Sequence, residues 1–320
     1  MSGVLEGFAV VGAVVLVGWV LGRRGTLGPD GQRVLARLVY AVGTPALLVR
    51  TLSTTDVAAV LGAPLLVTAA AALAAGGTSL VLSRLRRHDV EEGVVAALSA
   101  SYVNAVNLGL PIAVFVLGDG AIVAPALLFQ LVVLAPVAVG VLDARRRDRA
   151  DRADRAAGGA ARARAGARWS RTAVGLLRNP LLLGAAVGLA LGVLQLPPPE
   201  PVASVLELLA GVAVPCALLA FGISLSAGPG PRWADPDAWT AVGLKLVLSP
   251  LVAWGVGGPL LGLTGDALLA VVLVAALPTA QNVLVYATRF GAAERLARDS
   301  VLLSTLLSVP ALTAVVLVLG

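Results

Sequence analysis

Two stretches decide how this chain is read: S-Y-V-N-A-V-N-L-G-L-P from Ser101 to Pro111, and A-L-P-T-A-Q-N-V-L-V-Y from Ala276 to Tyr286. Each lies inside a long apolar run and brings side-chain amides together with a helix breaker. Asn104 and Asn107 stand with Gly109 and Pro111; Gln281 and Asn282 stand with Pro278. A proline inside a helix lacks an N–H and collides with the carbonyl four residues back, so a backbone acceptor is freed. In hydrocarbon such a group persists only where it lines a cavity or is buried in protein. Asn104, Asn107 and Pro111 are spaced i, i+3, i+7 and share a helical face. Gln281 and Asn282 follow Pro278 by one turn, and Tyr286 by a further turn. The two stretches therefore predict two discontinuous helices crossing at a midplane site. Half-helix N-termini would offer partial positive charge to an anion, and the amides directional hydrogen bonds. The plainer reading makes the amides interhelical glue and the prolines mere kinks. Recurrence of both features in corresponding helices favours the site.

Working outward, the composition sets the class. Apolar residues make up 58% of the 320, charged residues only 13%, and the mean hydropathy is +0.93. A soluble domain of this length needs more polar surface, so the sequence predicts an all-α integral membrane protein. Apolar segments long enough to span occur at 4–22, 31–52, 57–82, 93–117, 119–142, 173–195, 201–226, 237–262, 265–288 and 299–318. Breaks fall at 28–31, at Gly118-Asp119-Gly120, at Pro197-Pro198-Pro199 and at Gly228-Pro229-Gly230-Pro231. The first segment has no cationic leader and is followed directly by Arg23 and Arg24, which reads as a spanning helix with its N-terminus outside. Alternating the loops from there puts 22 of the 24 Lys and Arg residues inside, leaving only Arg50, near an outer helix end, and Lys245, within a span. That asymmetry predicts ten helices with both termini outside the cytoplasmic membrane. It also explains the pI near 10.6 without nucleic acid, since the basic excess faces an anionic leaflet.

Residues 143–172 form the only long polar stretch, rich in Arg, Ala, Asp and Gly, and read as a solvated cytoplasmic linker. They separate an N-terminal five-helix repeat (1–142) from a C-terminal one (173–320). Five is odd, so the second half must cross in the opposite sense, which predicts an inverted repeat. Internal similarity agrees. A-V-G-T-P-A-L-L (Ala41–Leu48) and G-V-A-V-P-C-A-L-L (Gly211–Leu219) each place a proline, Pro45 or Pro215, in mid-helix as a scaffold kink. The fifth and tenth segments share a polar residue six positions before a proline: Gln130 with Pro136, and Ser304 with Pro310.

Lys245 lies deep in the eighth segment, where an ionisable group reads either as a counter-charge for a substrate carboxylate, or in place of a coupling cation, or as a snorkelling anchor. Glu207 and Arg50, close to outer helix ends, read as anchors. The spans carry no aspartate in the expected core, so the acidic pair of a cation antiporter is missing. One cysteine (Cys216) and one histidine (His88) leave neither a disulfide framework nor a histidine metal site. No H-E-x-x-H, G-x-S-x-G or G-x-x-x-x-G-K-[ST] occurs, so hydrolysis and ATP use have no apparatus. No enzyme activity, cofactor or metal is expected.

Four segments carry a family resemblance: N-A-V-N-L-G-L-P (Asn104–Pro111), R-N-P-L-L-L-G-A-A-V-G-L (Arg178–Leu189), V-P-C-A-L-L-A-F-G-I-S-L (Val214–Leu225) and P-T-A-Q-N-V-L-V-Y-A (Pro278–Ala287). They span both halves, and the chain resembles a bacterial member of the auxin efflux carrier family, akin to malonate and malate carriers. The resemblance implies a fold similar to bile-acid symporters and sodium/proton antiporters. In that fold, segments one, two, six and seven form a panel supporting a core of three to five and eight to ten. It also implies export or exchange of a small organic anion. The central loop of many plant members is much longer than 143–172, which argues against auxin itself.

The sequence thus predicts a secondary carrier for small carboxylates working by alternating access. Asn104, Asn107, Gln281 and Asn282 are the first candidates for substrate contact, with Gln130, Ser304, Tyr286 and Lys245 behind them. Gly109, Pro111 and Pro278 are the candidate helix breakers. The expected partners are the bilayer and the anion; a homodimer is compatible with the sequence. A carrier of a neutral or amphipathic metabolite, and a channel or receptor using the same cavity, are the alternatives.

Overall fold

The computed structural model describes residues 2–54, 61–156, 180–226 and 233–320. The starts expected at 57 and 173, the Gly228–Pro231 break, and most of the linker beyond Ala156 lie outside the described residues. Those residues form helices α1 (Ser2–Arg24), α2 (Gly31–Leu52), α3 (Ala63–Leu85), α4 (Val90–Ser101), α5 (Ala105–Phe115), α6 (Gly120–Arg146), α7 (Pro180–Leu194), α8 (Glu200–Ser226), α9 (Pro236–Leu260), α10 (Gly265–Ala275), α11 (Gln281–Phe290) and α12 (Glu294–Leu319). Among the described residues there is no strand. Six helices, α2, α3, α6, α8, α9 and α12, are long and apolar enough to cross a membrane, and α5, α7 and α10 are shorter apolar helices. The helix that contains α6 continues through Ala156, so the first part of the polar linker is helical.

Local signals place the ends. Asp89 and Glu92 form a reciprocal capping box at the start of α4, which satisfies two orphan N–H groups. Gly291, at φ 63°, closes α11 in the left-handed conformation that only glycine takes without strain.

The prolines act locally and consistently. Thr44, Leu110, Ala135 and Ser249 each immediately precede a proline, and each donates its N–H to the carbonyl five residues back rather than four: Val39, Ala105, Gln130 and Leu244. Widening the turn in this way accommodates the pyrrolidine ring and the lost donor without ending the helix. Pro45 and Pro111 are two of these. Pro215 sits just beyond an irregular turn at Val212.

The helices pack in two groups. In the first, α1 lies on the C-terminal half of α8, and α2 lies on α7 and α8. These contacts are backbone to backbone. A Cβ on Gly222 would fall 2.1 Å from the Val15 carbonyl oxygen, and one on Gly18 2.5 Å from that of Leu219. Likewise Gly184 abuts Pro45, and Gly188 abuts Leu48. Without a hydrophobic driving force between helices in lipid, such close approach supplies the van der Waals contact that holds them. Arg50 and Glu207, which the sequence suggested as helix-end anchors, pair at 3.0 Å between α2 and α8. In the second group α3 packs on α4, α6 and α9, α9 on α10 and α12, and α11 on α12. The groups meet where α1 and α8 reach α5, around Leu48, Leu108, Leu218, Phe221, Leu273 and Leu277.

The interior differs from expectation in one residue. Asp299 is 2% exposed at the start of α12, 3.5 Å from the Arg298 guanidinium Nε. An aspartate placed at the edge of its segment is buried because α12 begins five residues earlier, at Glu294. Large apolar side chains such as Leu208, Leu260 and Val318 lie on the outer faces, where a bilayer solvates them.

Candidate substrate site

Between α4 and α5 the chain leaves the helix at 102–104, extended through Val103 and turning tightly at Asn104, and between α10 and α11 it leaves the helix at 276–280. The two interruptions cross antiparallel. The Asn104 N–H donates to the Pro278 carbonyl at 2.8 Å, and the Ala280 N–H to the Tyr102 carbonyl at 3.0 Å. Val103 and Thr279 face each other as a single bridged pair between these bonds. In such a pair the N–H groups of the two middle residues point away from the partner and need other acceptors. Two side chains supply them. Gln130 Oε1, on α6, accepts from Val103 N–H, and Ser304 Oγ, on α12, accepts from Thr279 N–H at 3.0 Å. The Thr279 hydroxyl in turn donates to the Ser99 carbonyl at 2.6 Å. Every middle N–H of the crossing is therefore satisfied, which allows irregular backbone to exist at this depth.

The first interruption falls earlier than the sequence suggests. Pro111 lies seven residues beyond Asn104, inside α5, where it widens a turn; Gly109 is buried against Leu277. Pro278 lies within the second interruption and gives its carbonyl to the crossing. Asn104, rather than sharing a continuous helical face with Asn107, caps the new helix: its Oδ1 accepts the Asn107 N–H at 3.3 Å. Its Nδ2 is buried with no partner, although the residue is only 3% exposed. A buried amide donor left unpaired is costly, and it marks the position where a solute or water oxygen is wanted.

Asn104 also lines a cavity of about 540 Å³, within the range of small-molecule sites. Asn104, Asn107, Gln130, Gln281 and Asn282 all line it, so the structure brings together all four first candidates and one of the second. Gln281 and Asn282 open α11, whose first N–H groups have no acceptor within the helix. Two half-helix N-termini, at Ala105 and Gln281, thus meet one cavity and favour negative charge there. The Gln281 amide also donates to the Ser224 hydroxyl on α8 at 3.1 Å, bridging the two helix groups.

Three candidates do not line the cavity. Ser304 is fully buried behind the crossing. Tyr286 packs edge-on against Tyr102, ring centroids 6.3 Å apart, and so supports a residue that does line it. Lys245 is fully buried and donates from Nζ to the Ala275 carbonyl at 3.0 Å, at the C-terminal end of α10. There its Nζ satisfies a carbonyl of a half-helix that ends inside the protein.

The remaining wall is one that the sequence reading did not offer. Gln32, Arg33, Arg37 and Tyr40 of α2 line the cavity, and among the described residues its charged lining is the two arginines. Their spacing, i, i+4 and i+7 from Arg33 to Tyr40, was the available signal. It was hidden because both arginines also count as topology markers.

Comparison with known proteins agrees with this architecture. A family model described as "Membrane transport protein" matches residues 4–155 and 167–316. A protein of Rhizobium meliloti (strain 1021) described as a "Putative malonate transporter" is 31% identical over 239 residues, covering 72% of this chain and 68% of that protein. With a family model matched across both halves and apolar helices throughout, the chain belongs to this membrane transport family, the auxin efflux carriers, and is a multi-pass membrane transporter, not an enzyme.

Proposed function

We propose that the protein is a secondary active carrier of small carboxylates, which it binds at the crossing of the two interrupted helices and moves by alternating access. The observation that carries this reading is the convergence of the Asn104, Asn107, Gln130, Gln281 and Asn282 amides on one cavity, beside two half-helix N-termini. Such a set recognises a carboxylate without a buried counter-ion: directional donors and partial positive charge stabilise the anion while it sheds water. The name of the Rhizobium relative points to the same chemical class.

The two helix groups give the carrier its moving parts. The group of α1, α2, α7 and α8 forms a panel, and the crossing belongs to the other group, so sliding one against the other would turn the cavity from one face to the other. The described spans are compatible with ten membrane crossings in two inverted halves, with both termini outside and residues 143–172 in the cytoplasm. Two observations support the internal symmetry. Gln130 and Ser304, matched in the sequence, brace matched N–H groups at Val103 and Thr279. The glycine-lined contacts of α1 with α8 and of α2 with α7 likewise pair the panel helices.

The test is counterflow in proteoliposomes with malonate. Preloaded malonate should accelerate uptake of labelled malonate, as a carrier requires and a pore does not allow. Replacing Asn107 and Asn282 together by alanine should lower that uptake at least about tenfold, since each amide bond to a charged group is worth ~1.5–3 kcal/mol. Unchanged exchange in correctly inserted double variant would place the site elsewhere.

A further inference from the structure

We propose that the hydrogen bond between Gln281 and Ser224 is a pin that holds the two helix groups in register while the cavity is empty, and that a bound anion withdraws it. Resting on the reading of Gln281 as a solute contact, the pin adds what keeps an empty carrier still. The seam between the groups is apolar: Leu48, Leu218 and Phe221 of the panel share one cluster with Leu108, Leu110 and Leu277 of the other group. Contacts of that kind are non-directional, so packed helices slide across them by small steps. Among the described residues one hydrogen bond crosses the seam, from Gln281 Nε2 on α11 to Ser224 Oγ on α8 at 3.1 Å.

Both partners are placed for this task. Ser224 Oγ donates its own proton to the Phe221 carbonyl at 2.6 Å, one turn back on α8. Its lone pairs are left for an incoming donor, which makes it a fixed acceptor on the panel. Ser224 does not line the cavity, whereas Gln281 does. The Gln281 amide therefore stands between two acceptors, a neutral hydroxyl across the seam and the solute in the cavity. A carboxylate offers that amide a charge-assisted bond, roughly twice as strong as the neutral one. The solute takes the amide, the hydroxyl is left behind, and the apolar seam is free to slide. When the solute leaves, the amide returns to Ser224 and the groups are held again. A carrier built in this way exchanges solute for solute readily and crosses empty slowly. Ser224 is thus a positioning residue of the transport cycle, acting through Gln281.

The experiment uses the full chain in proteoliposomes loaded with labelled malonate. It compares efflux into malonate-free buffer with efflux into buffer holding unlabelled malonate. Wild type should empty more slowly than it exchanges. Ser224→Ala should speed emptying by about two- to tenfold, the range of one neutral hydrogen bond, and leave exchange within about twofold. It should also bind malonate up to about tenfold more tightly in a thermal-shift titration, since no hydroxyl competes for the amide. Ser224→Thr keeps the acceptor and should behave as wild type. Ser226→Ala is the control: that hydroxyl bonds back to the Ile223 carbonyl at 2.7 Å on its own helix, so its loss should alter neither rate. A merely structural role for Ser224 would move both rates together and leave their ratio alone. An unchanged ratio in Ser224→Ala overturns the inference, as does a wild type that empties as fast as it exchanges. An equal rise in Ser226→Ala overturns it too, since α8 would then be loosened in general. So does loss of malonate binding in Ser224→Ala, because the hydroxyl would then be holding Gln281 for the solute rather than against it. All of these leave the carboxylate reading of the crossing intact. A wild type without malonate counterflow sinks both.

Discussion

Replacing Ser304 by alanine removes a single oxygen, yet the crossing predicts a large effect. Ser304 Oγ is the acceptor for Thr279 N–H, and both residues are fully buried. Without it, the N–H has no protein partner at a depth where water is scarce, and the full desolvation of that group is left unbalanced. A buried donor orphaned in this way costs ~1–3 kcal/mol. At about 2–4 °C per kcal/mol, a scale set by smaller soluble domains, the melting temperature should fall by roughly 2–12 °C. Ser308 gives an internal control. It lies one turn further along α12, is equally buried, and its hydroxyl only bonds back to the Thr305 carbonyl at 2.7 Å, so its removal orphans no donor. Ser308→Ala should therefore stay within about 0.5 kcal/mol of wild type. The assay is tryptophan fluorescence during heating of purified protein, followed by malonate binding to the variants. Ser304→Ala should also weaken malonate, because the segment it steadies pairs directly with Asn104 through the Pro278 carbonyl. If Ser304→Ala melts no earlier than Ser308→Ala, the extended crossing is not held by its side-chain acceptors and the account of the site's rigidity is wrong.

Two further substitutions test other parts of the argument. Gly222→Ala would push a methyl to within 2.1 Å of the Val15 carbonyl oxygen, a backbone atom that cannot rotate away, so α1 and α8 must separate. A loss of about 1–3 kcal/mol or more is expected, read as early melting and poor membrane insertion, whereas Gly77→Ala, with open space around it, should be silent. Lys245→Met keeps the length of the side chain and removes the ammonium from the Ala275 carbonyl. Malonate affinity should stay within about threefold (~0.6 kcal/mol), since Lys245 does not line the cavity. A loss of tenfold or more would instead restore Lys245 as a counter-charge for the substrate.

Much of this architecture was written in features whose physics is local. A proline perturbs its own turn whatever surrounds it, so the kink at Pro45 could be read directly and sits beside a five-back hydrogen bond; Pro111 sits beside the same kind of bond but widens its turn instead of breaking the helix as the sequence suggested. Amides grouped beside helix breakers in apolar sequence could be read for the same reason, and all four face one cavity. The exact place of the first interruption was not legible. Val103 leaves the helix because Thr279, Pro278 and Gln130 together offer it better partners than the helix does, and those partners are brought by tertiary packing. Arg37 was missed on similar grounds: a basic residue near a helix end serves topology and cavity alike, and only the packing of α2 against the crossing separates the two. Asp299 shows the converse, a charge that looks terminal by hydropathy and is enclosed because its helix starts earlier.

The matched braces carry one more step. Gln130 and Ser304 occupy corresponding places and do the same task, yet one is long and the other short. A serine reaches Thr279 N–H only if α12 packs hard against the second interruption, and α12 does so with a face of Ser300, Ser304 and Ser308, all fully buried. A glutamine spans a wider gap, and beside Val103 lies a small pocket of about 10 Å³, whose lining includes Thr68, Ser101, Gln130 and Ser249, room for about one water. The two interruptions are thus held with unequal slack. The tight one carries Pro278 and opens α11, whose N-terminus would meet the proposed solute; the looser one carries Asn104, whose amide would have to adjust to it. Rigid acceptance on one side and a small adjustment on the other is the arrangement by which binding energy can be turned into movement between the two helix groups.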